Sequence, residues 1–554
     1  MTLKPVIALT LLLQLITLTP SNAITEPDTF ITSKTLAPGF APSQQDYTLR
    51  NCHNKSISLV ITATSGATVK LDGKPIKSSS INVLPKADQI LTLTIKEKNK
   101  AEKNYYLRCL PNDFPKISIV KHNLGKDLNA QYLLATGNRP EVDSWEMNDK
   151  YYMILDAKGV PLWYMKAEGF PSIIEKTRDN NIITLASPED LSPSYAARGN
   201  PGVVKSTLSG KFLSKTSLGE SNPIDGHTVQ QLSGDRLLLV TAPIKKNVDL
   251  SETFTQLTPL DVGGGGLEKC SLTNTTSVNV AYPEINILDK KGKIIWNWKS
   301  FGNISDSESL IPALTNIDYM GGVNCVVDIF HASHASLSKD GKTVVLTARF
   351  TSATYGIDIK SKKIIWKIGG TKTSNSLTIE SDPLGKDGPK GHHGGDLNEQ
   401  GELLIFDNRR ELSEISRAVV YQIDLVNNKA IFKKSLLPVL NPCVKLSNIT
   451  TCNSFSMGNS VYTLDQNILV SWGFKPGNLS VATLYAKNYQ PLLTIKNESM
   501  VHTTYQVTYL TDKERWDPRE LRKAASSKKT IRASWQTSGN PKASQSDVAV
   551  GTIK

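Results

Sequence analysis

Hydrophobic positions fall in short, strand-sized runs. These alternate with polar residues or stop at Gly, Asp and Asn, and no long stretch carries the 3.6-residue period of an amphipathic helix. One unit recurs: an apolar run, a turn, and a second apolar run closed by a bulky side chain. It reads MILDAKGVPLWYM (153–165), VVKSTLSGKFLSK (203–215), INILDKKGKIIWNW (285–298), YGIDIKSKKIIWKI (355–368), VYQIDLVNNKAIFKK (420–434) and ATLYAKNYQPLLTI (482–495). Further apolar strands such as DRLLLVTA, KTVVLTARF and ELLIFDN lie between successive copies. Asp or Asn with a nearby Gly suits a tight hairpin turn. Trp163, Trp296, Trp366 and Phe432 are spaced to pack between neighbouring sheets. Units repeating at roughly 50–80 residues predict an all-β fold whose main body, 115–511, is a six-bladed β-propeller. Ring closure requires the last strand, VHTTYQVTYL (501–510), to meet the start of the ring, and KISIVKH (116–122) is its expected partner.

The flanks differ from this body. Residues 39–110 hold alternating runs with regularly spaced turns, the pattern of a small β-sandwich. From Asp512 to Lys554 apolar residues thin out, and a disordered basic tail is expected. Residues 1–23 read as a signal peptide: Lys4, an apolar run from Val6 to Leu18, and the small-residue site Ser21-Asn22-Ala23. The expectation is a secreted or periplasmic protein without stable membrane insertion. The glycine run in LTPLDVGGGGLEKC (257–270) lacks the lysine of a phosphate loop and reads as a surface insertion.

Six cysteines in an exported chain suggest disulfides, and domain grouping favours Cys52–Cys109, Cys270–Cys325 and Cys443–Cys452. The net charge of +13 is spread out. The segment 512–554 supplies +5 of it, with ten Lys/Arg against five Asp/Glu. Without a dense basic block interleaved with aromatics, nucleic acid is not an expected partner.

Histidine is scarce, at 8 in 554 residues, yet five of them lie in three segments: GHTVQQLSGDRLLLV, FHASHASLSKDGKTVVLTARF and GHHGGDLNEQGELLIFDN. His227, His331 and His393 stand at matching places before predicted inner strands, and Arg349 closes one of those strands. A repeat fold that delivers one imidazole per repeat to one mouth builds a convergent polar pocket. Imidazole serves as nucleophile or general acid/base, and further imidazoles with a guanidinium neutralise a transferring anion such as sulfuryl or phosphoryl. Three histidines also suit Zn²⁺ or Cu²⁺, but Arg349 in the same pocket disfavours a cation. No metal and no cofactor is expected.

At these residues the chain resembles the arylsulfate sulfotransferases that do not use PAPS. The segment 328–370 is similar to that family's His-x-Asn … Ser-x-Arg … Ile-x-Trp run, and GHHGGDLNEQGELLIFDN to its Gln-His-Asp-Ala … Phe-Asp-Asn run. The resemblance covers about 120–510, and the upstream module is similar to a cadherin-like sandwich. It implies a six-bladed propeller that moves a sulfuryl group from a phenolic sulfate ester to a phenol, ping-pong, through a sulfohistidine. By position His393, rather than His392, is the nucleophile. His227, His331 and Arg349 bind the sulfuryl oxygens, with His331 also acid/base. Ser333 stands where the family has Asn, and Gly394-Gly395 replaces Asp-Ala. His334, His392 and Ser456 join Ser333 as candidate substrate contacts. The small-molecule donor and acceptor are the implied partners, with a homodimer also compatible. The competing reading is a non-catalytic propeller that binds a ligand or partner.

Overall fold

The computed structural model describes residues 29–526 apart from 124–127, 139–147, 168–171, 187–201, 220, 260–273, 316–324, 410–412, 441–442, 447–448, 455, 475–479 and 499–501. The expected signal peptide, the glycine run, Cys270 and residues 527–554 lie outside the described residues. Among those described, the chain is nearly all strand, and none of its helices is long and apolar enough to cross a membrane.

Of the seven sheets of four or more strands from Ile117 onward among the described residues, one, which holds Ile244–Val248 and Val278–Ala281, is mixed, and the other six each contain four neighbouring antiparallel strands. Their inner strands are, in order, His502–Leu510, Ile174–Lys176, Ile224–Leu232, Ala332–Leu337, His393–Leu397 and Asn459–Tyr462. The fourth sheet is typical: Ala332–Leu337 pairs with Thr343–Ala348, then Ala353–Asp358, then Ile364–Gly369. Its second strand is buried at every position, as a strand covered on both faces must be. Turn chemistry repeats as the sequence predicts. Asp156 Oδ1 accepts the N–H groups of Lys158 and Val160, and Gly159 takes φ +83°. Asp289 does the same for Lys291 and Lys293.

Each pair of consecutive sheets encloses an apolar cluster. Ile183, Val203 and Leu239 lie between the second and third sheets. Val345, Trp366 and Leu403 lie between the fourth and fifth. Leu484, Ile495, Leu134 and Val507 lie between the sixth and the first. The indole N–H of Trp163 donates to Leu208 O in the next sheet (2.7 Å).

The inner strands approach closely enough for side chains of one to bond the backbone of the next. The N–H groups of Ala335 and Leu337 donate to Thr228 Oγ1 (3.0 Å) and Gln230 Oε1 (2.9 Å). Ser336 Oγ donates to Gly395 O (2.7 Å), and the Tyr462 N–H to Asp396 Oδ2 (2.9 Å). Asn459 Nδ2 donates to Gln506 Oε1 (3.2 Å), Gln506 Nε2 to Glu175 Oε1 (3.2 Å), and the Gln231 N–H to the Glu175 carboxylate.

Two expectations need correction. Strand His502–Leu510 pairs with Gln131–Asn138, whereas Ile117–Lys121 pairs with Pro491–Asn497 on the outer edge of the sixth sheet. The last strand thus fills the open inner edge of the first sheet, and the incoming chain covers an outer edge elsewhere. The second concerns the region from Asp512. Pro518–Ser526 is an α-helix, and Trp516, Leu521 and Ala525 pack with Trp163 and Ile154 of the first sheet. Trp516 and Gln131 exchange two hydrogen bonds of 3.0 Å. Few apolar residues suffice here because they lie on one face with a sheet ready to receive them.

Upstream, a three-stranded and a six-stranded sheet enclose one core around Leu59, Leu93, Tyr105 and Leu107. Strand Phe30–Thr32 belongs to it, so this module starts before residue 39. Cys52–Cys109 and Cys443–Cys452 are disulfides, and Cys325 is disulfide-bonded. The helix touches the module through Arg522, whose Nη1 lies 2.6 Å from Asp46 Oδ2 and whose guanidinium stacks on Tyr106. Trp516→Ala should therefore lower the free energy of unfolding by about 3 kcal/mol. Denaturant titration measures this, and an unchanged midpoint would show that the helix does not brace the first sheet.

Candidate active site

His227, His331 and His393 come from the third, fourth and fifth sheets, and one ligand-type nitrogen of each lies within 4.8 Å of those of the other two. Their rings are packed together: the centroids of His227 and His331 are 4.9 Å apart, and those of His227 and His393 6.2 Å. All three are buried.

The backbone departs from regular pairing at each of these histidines. His393 pairs with Phe406 and Gly395 with Ile405, so Gly394 is an extra residue. Ala332 pairs with Ala348 and His334 with Thr347, leaving Ser333 extra. On the third sheet pairing lapses between Ile224 and Val229, the stretch that carries His227. Such bulges re-aim side chains at the rim of a sheet. His331 itself has φ +49°, a left-handed conformation that costs a non-glycine residue about 1–3 kcal/mol. The Asp328 side chain holds it there by accepting its N–H at 3.0 Å. Gly394 has φ +56°, and a Cβ there would fall 2.5 Å from Asn459 Oδ1. Gly394 is thus what lets the fifth and sixth inner strands approach, while Gly395, where a Cβ would fall 2.7 Å from Thr347 Oγ1, faces the fourth sheet.

Each imidazole is tethered through Nδ1. His227 Nδ1 lies 2.5 Å from Asp225 Oδ1, and His331 Nδ1 2.6 Å from Asp328 Oδ2. His393 Nδ1 lies 2.7 Å from Asn408 Oδ1. The Asn408 amide is oriented by its Nδ2, which donates to Ser454 O (3.1 Å) and Met457 O (3.0 Å). His393 Nδ1 is therefore the protonated nitrogen. Nε2 keeps its lone pair and accepts the Met457 N–H at 3.2 Å. Arg349 Nη1 donates to Gly391 O (2.9 Å) and sits 3.3 Å from His393 Nδ1, a close approach rather than a second bond to that nitrogen.

Burial lowers the pKa of His331, against the opposing pull of Asp328. It lowers that of His393 well below the ordinary imidazole value, and the positive charge of Arg349 adds to the effect. Phe350 lies over His331 with centroids 4.6 Å apart, and Tyr505 stands edge-on to His227 at 5.4 Å. Tyr505 donates its hydroxyl to Ser333 O (2.7 Å). Among the described residues the three imidazoles are the one group spaced to hold a metal ion, but the guanidinium beside them favours an anion.

The other sequence candidates stand apart from this group. The Ser333 hydroxyl donates toward His392 O (2.9 Å) and Thr347 O (3.2 Å), so it serves the sheet and not a substrate. His392 Nε2 bonds Thr354 Oγ1 (2.9 Å) inside the fold. His334 has Nδ1 3.4 Å from Thr228 Oγ1 and a buried, unpartnered Nε2. The Ser456 hydroxyl is also buried without a partner, one residue before the Met457 N–H that meets His393. Sequence reasoning assigned no role to Asp225, Asp328, Asn408, Met457 or Tyr505. The spacings Asp-Gly-His and Asp-Ile-Phe-His carried a signal for the first two.

Residues 268–431 match the family model described as Arylsulfotransferase (ASST). That span contains His331, Arg349, His393 and Asn408 but not His227 or Met457. No curated protein matches the chain. Among solved structures the chain is similar to a protein of unknown function from Bacteroides caccae, at 9% identity and TM-score 0.38, covering 69% of this chain and 99% of that one. It is also similar to periplasmic gluconolactonase from Pseudomonas aeruginosa, at 11% identity and TM-score 0.35, covering 69% and 99%. An auxiliary nutrient binding protein from Bacteroides ovatus gives 10% identity and TM-score 0.30, covering 85% and 98%. Likeness this low carries no inference about fold or activity.

The buried histidines set a pH dependence of stability. His334 is pushed down to about 3 by burial and by the neighbouring charges of His227 and Lys339. Below its ordinary value of 6.5 the unfolded chain takes up a proton that the folded chain refuses, so stability is full above about 6.5 and falls as pH drops toward 3. The slope is about 1.4 kcal/mol per pH unit for each such histidine. Denaturant midpoints between pH 7 and 4 should show this loss, and His334→Leu should reduce its slope. An equal slope in the variant would mean that His334 is protonated in the folded state.

Proposed function

We propose that the chain is an aryl sulfotransferase that moves a sulfuryl group from a phenolic sulfate ester to a phenol through a sulfohistidine at His393, without PAPS. The observation that carries this reading is the different tethering of three clustered imidazoles. Two are held by carboxylates and one by a neutral amide, with a guanidinium beside the last. The arylsulfotransferase match over 268–431 supports the same chemistry.

Transfer runs in two half-reactions. The donor's sulfuryl oxygens enter between Arg349, His227 and His331, whose N–H groups neutralise the anion. The neutral Nε2 of His393 attacks sulfur, the S–N bond forms, and the S–O bond to the phenolate breaks. The departing phenolate takes a proton from His331 Nε2. Asp328 on the opposite nitrogen favours the imidazolium, and the incoming anion offsets the burial that disfavours it. In the second half the acceptor phenol returns a proton to His331, its oxygen attacks sulfur, and the S–N bond breaks. The Met457 N–H that bonds Nε2 at rest becomes a donor to a sulfuryl oxygen.

This reading takes the six sheets as a closed six-bladed propeller. The hydrogen bonds between inner strands support it, as does the pairing of the last strand with Gln131–Asn138. The disulfides agree with an oxidising compartment outside the cytoplasm.

The mature protein should release p-nitrophenol from p-nitrophenyl sulfate in proportion to an added phenol, without PAPS, and His393→Asn should lower that rate by at least about 10³-fold. Release that persists in His393→Asn would refute a nucleophilic role. No release by the folded wild-type protein would favour the non-catalytic binding reading.

A further inference from the structure

The three imidazoles share a burial environment but not a tether. Asp225 and Asp328 are carboxylates, whereas Asn408 is an amide that is itself fully buried. An amide carries no charge and cannot take a proton from an imidazole, so its hydrogen bond raises the proton affinity of the ring far less than an aspartate would. The orientation of Asn408 is settled by the two carbonyls its Nδ2 serves, and one of them belongs to Met457, whose own N–H meets His393 Nε2. Asn408 therefore fixes the ring and the loop facing it as one unit.

We propose that Asn408 is the positioning residue that selects His393 as the nucleophile. It holds the proton on Nδ1, leaves the lone pair on Nε2, and withholds the counter-charge that Asp225 and Asp328 give the other two rings. This rests on the sulfohistidine reading above and deepens it. Attack through Nε2 with the Nδ1 proton retained gives a sulfonated imidazolium. With no carboxylate to take that proton, the ring keeps its positive charge. It is then a good leaving group when the acceptor oxygen arrives, and the S–N bond breaks to return neutral His393. A carboxylate at 408 would favour protonated His393 at rest and would stabilise the sulfonated ring.

The charged and titratable groups around His393 are consistent with this assignment. Arg349, His227, His331 and Tyr505 face it. The nearest acid along the chain, Asp407, is turned to Arg409 and Arg417. Burial, Arg349 and the neighbouring imidazoles disfavour a charged His393, and only the neutral amide of Asn408, with no carboxylate, opposes them.

The test is an NMR titration of ¹⁵N-histidine-labelled full-length protein, read alongside the pH profile of the first phenol-release burst. In the wild type, His393 should show the Nδ1–H tautomer and stay neutral well below pH 6.5. In Asn408→Asp the proton affinity of His393 should rise about tenfold or more. The acid limb of the burst should move up in pH by the same amount, and Asp328→Asn should leave the His393 titration in place. A wild-type His393 protonated on Nε2, or an Asn408→Asp protein with unchanged His393 titration, would overturn the assignment. The tautomer measurement needs neither turnover nor a variant, so failure of the transferase reading and failure of this one are separable.

Discussion

The close approach of neighbouring inner strands is the constraint on which the rest depends. Thr228 can bond the Ala335 N–H, and Ser336 the Gly395 carbonyl, only if the third, fourth and fifth sheets meet at their inner edges. That distance brings into contact imidazoles that are far apart in sequence. It also excludes side chains at places: Gly394 abuts Asn459 and Ser460 with no room for a Cβ. Irregular pairing lies at or beside each histidine: at Gly394 after His393, at Ser333 two residues after His331, and across Ile224–Val229 around His227.

Burial then sets the chemistry. Burial disfavours the charged forms of His331 and His393, and a carboxylate opposes this only at His331. Asp225 and Asp328 hold His227 and His331 through short Nδ1 contacts. His393 receives the amide of Asn408 and the fixed charge of Arg349 instead. Three Nδ1 tethers, two to a carboxylate and one to an amide, thus distinguish His393 from its two neighbours, and the proposed division of roles rests on that difference.

Much of this was legible in the sequence, for physical reasons. The turns were readable because Asp-x-x-Gly can do little else between two apolar runs, and Asp156 and Asp289 show the expected bonds. The clustering of His227, His331 and His393 followed from their matched places in successive repeats. Pairing partners between the two ends of the sheet series were harder to read. Ile117–Lys121 and Gln131–Asn138 are both apolar strands near the start, and nothing local distinguishes an inner from an outer edge. Pro518–Ser526 was missed because a single amphipathic turn pair has little signal without the sheet that receives it. Asn408 lay in a quoted motif, yet its function depends on Ser454 and Met457, which only the fold brings to it. The hydroxyl of Ser333 was read as a substrate donor because pattern matching cannot see the two carbonyls that occupy it.

The most direct measurement of the central claim is to mix the full-length protein with p-nitrophenyl sulfate without acceptor, quench within one turnover, and map the sulfuryl adduct by peptide mass spectrometry under alkaline conditions. A single adduct on His393, formed in step with one equivalent of released phenol and discharged by an added phenol, is the expected result. Phenol release with no adduct, or an adduct on His227 or His331, would contradict a nucleophile selected by its neutral tether.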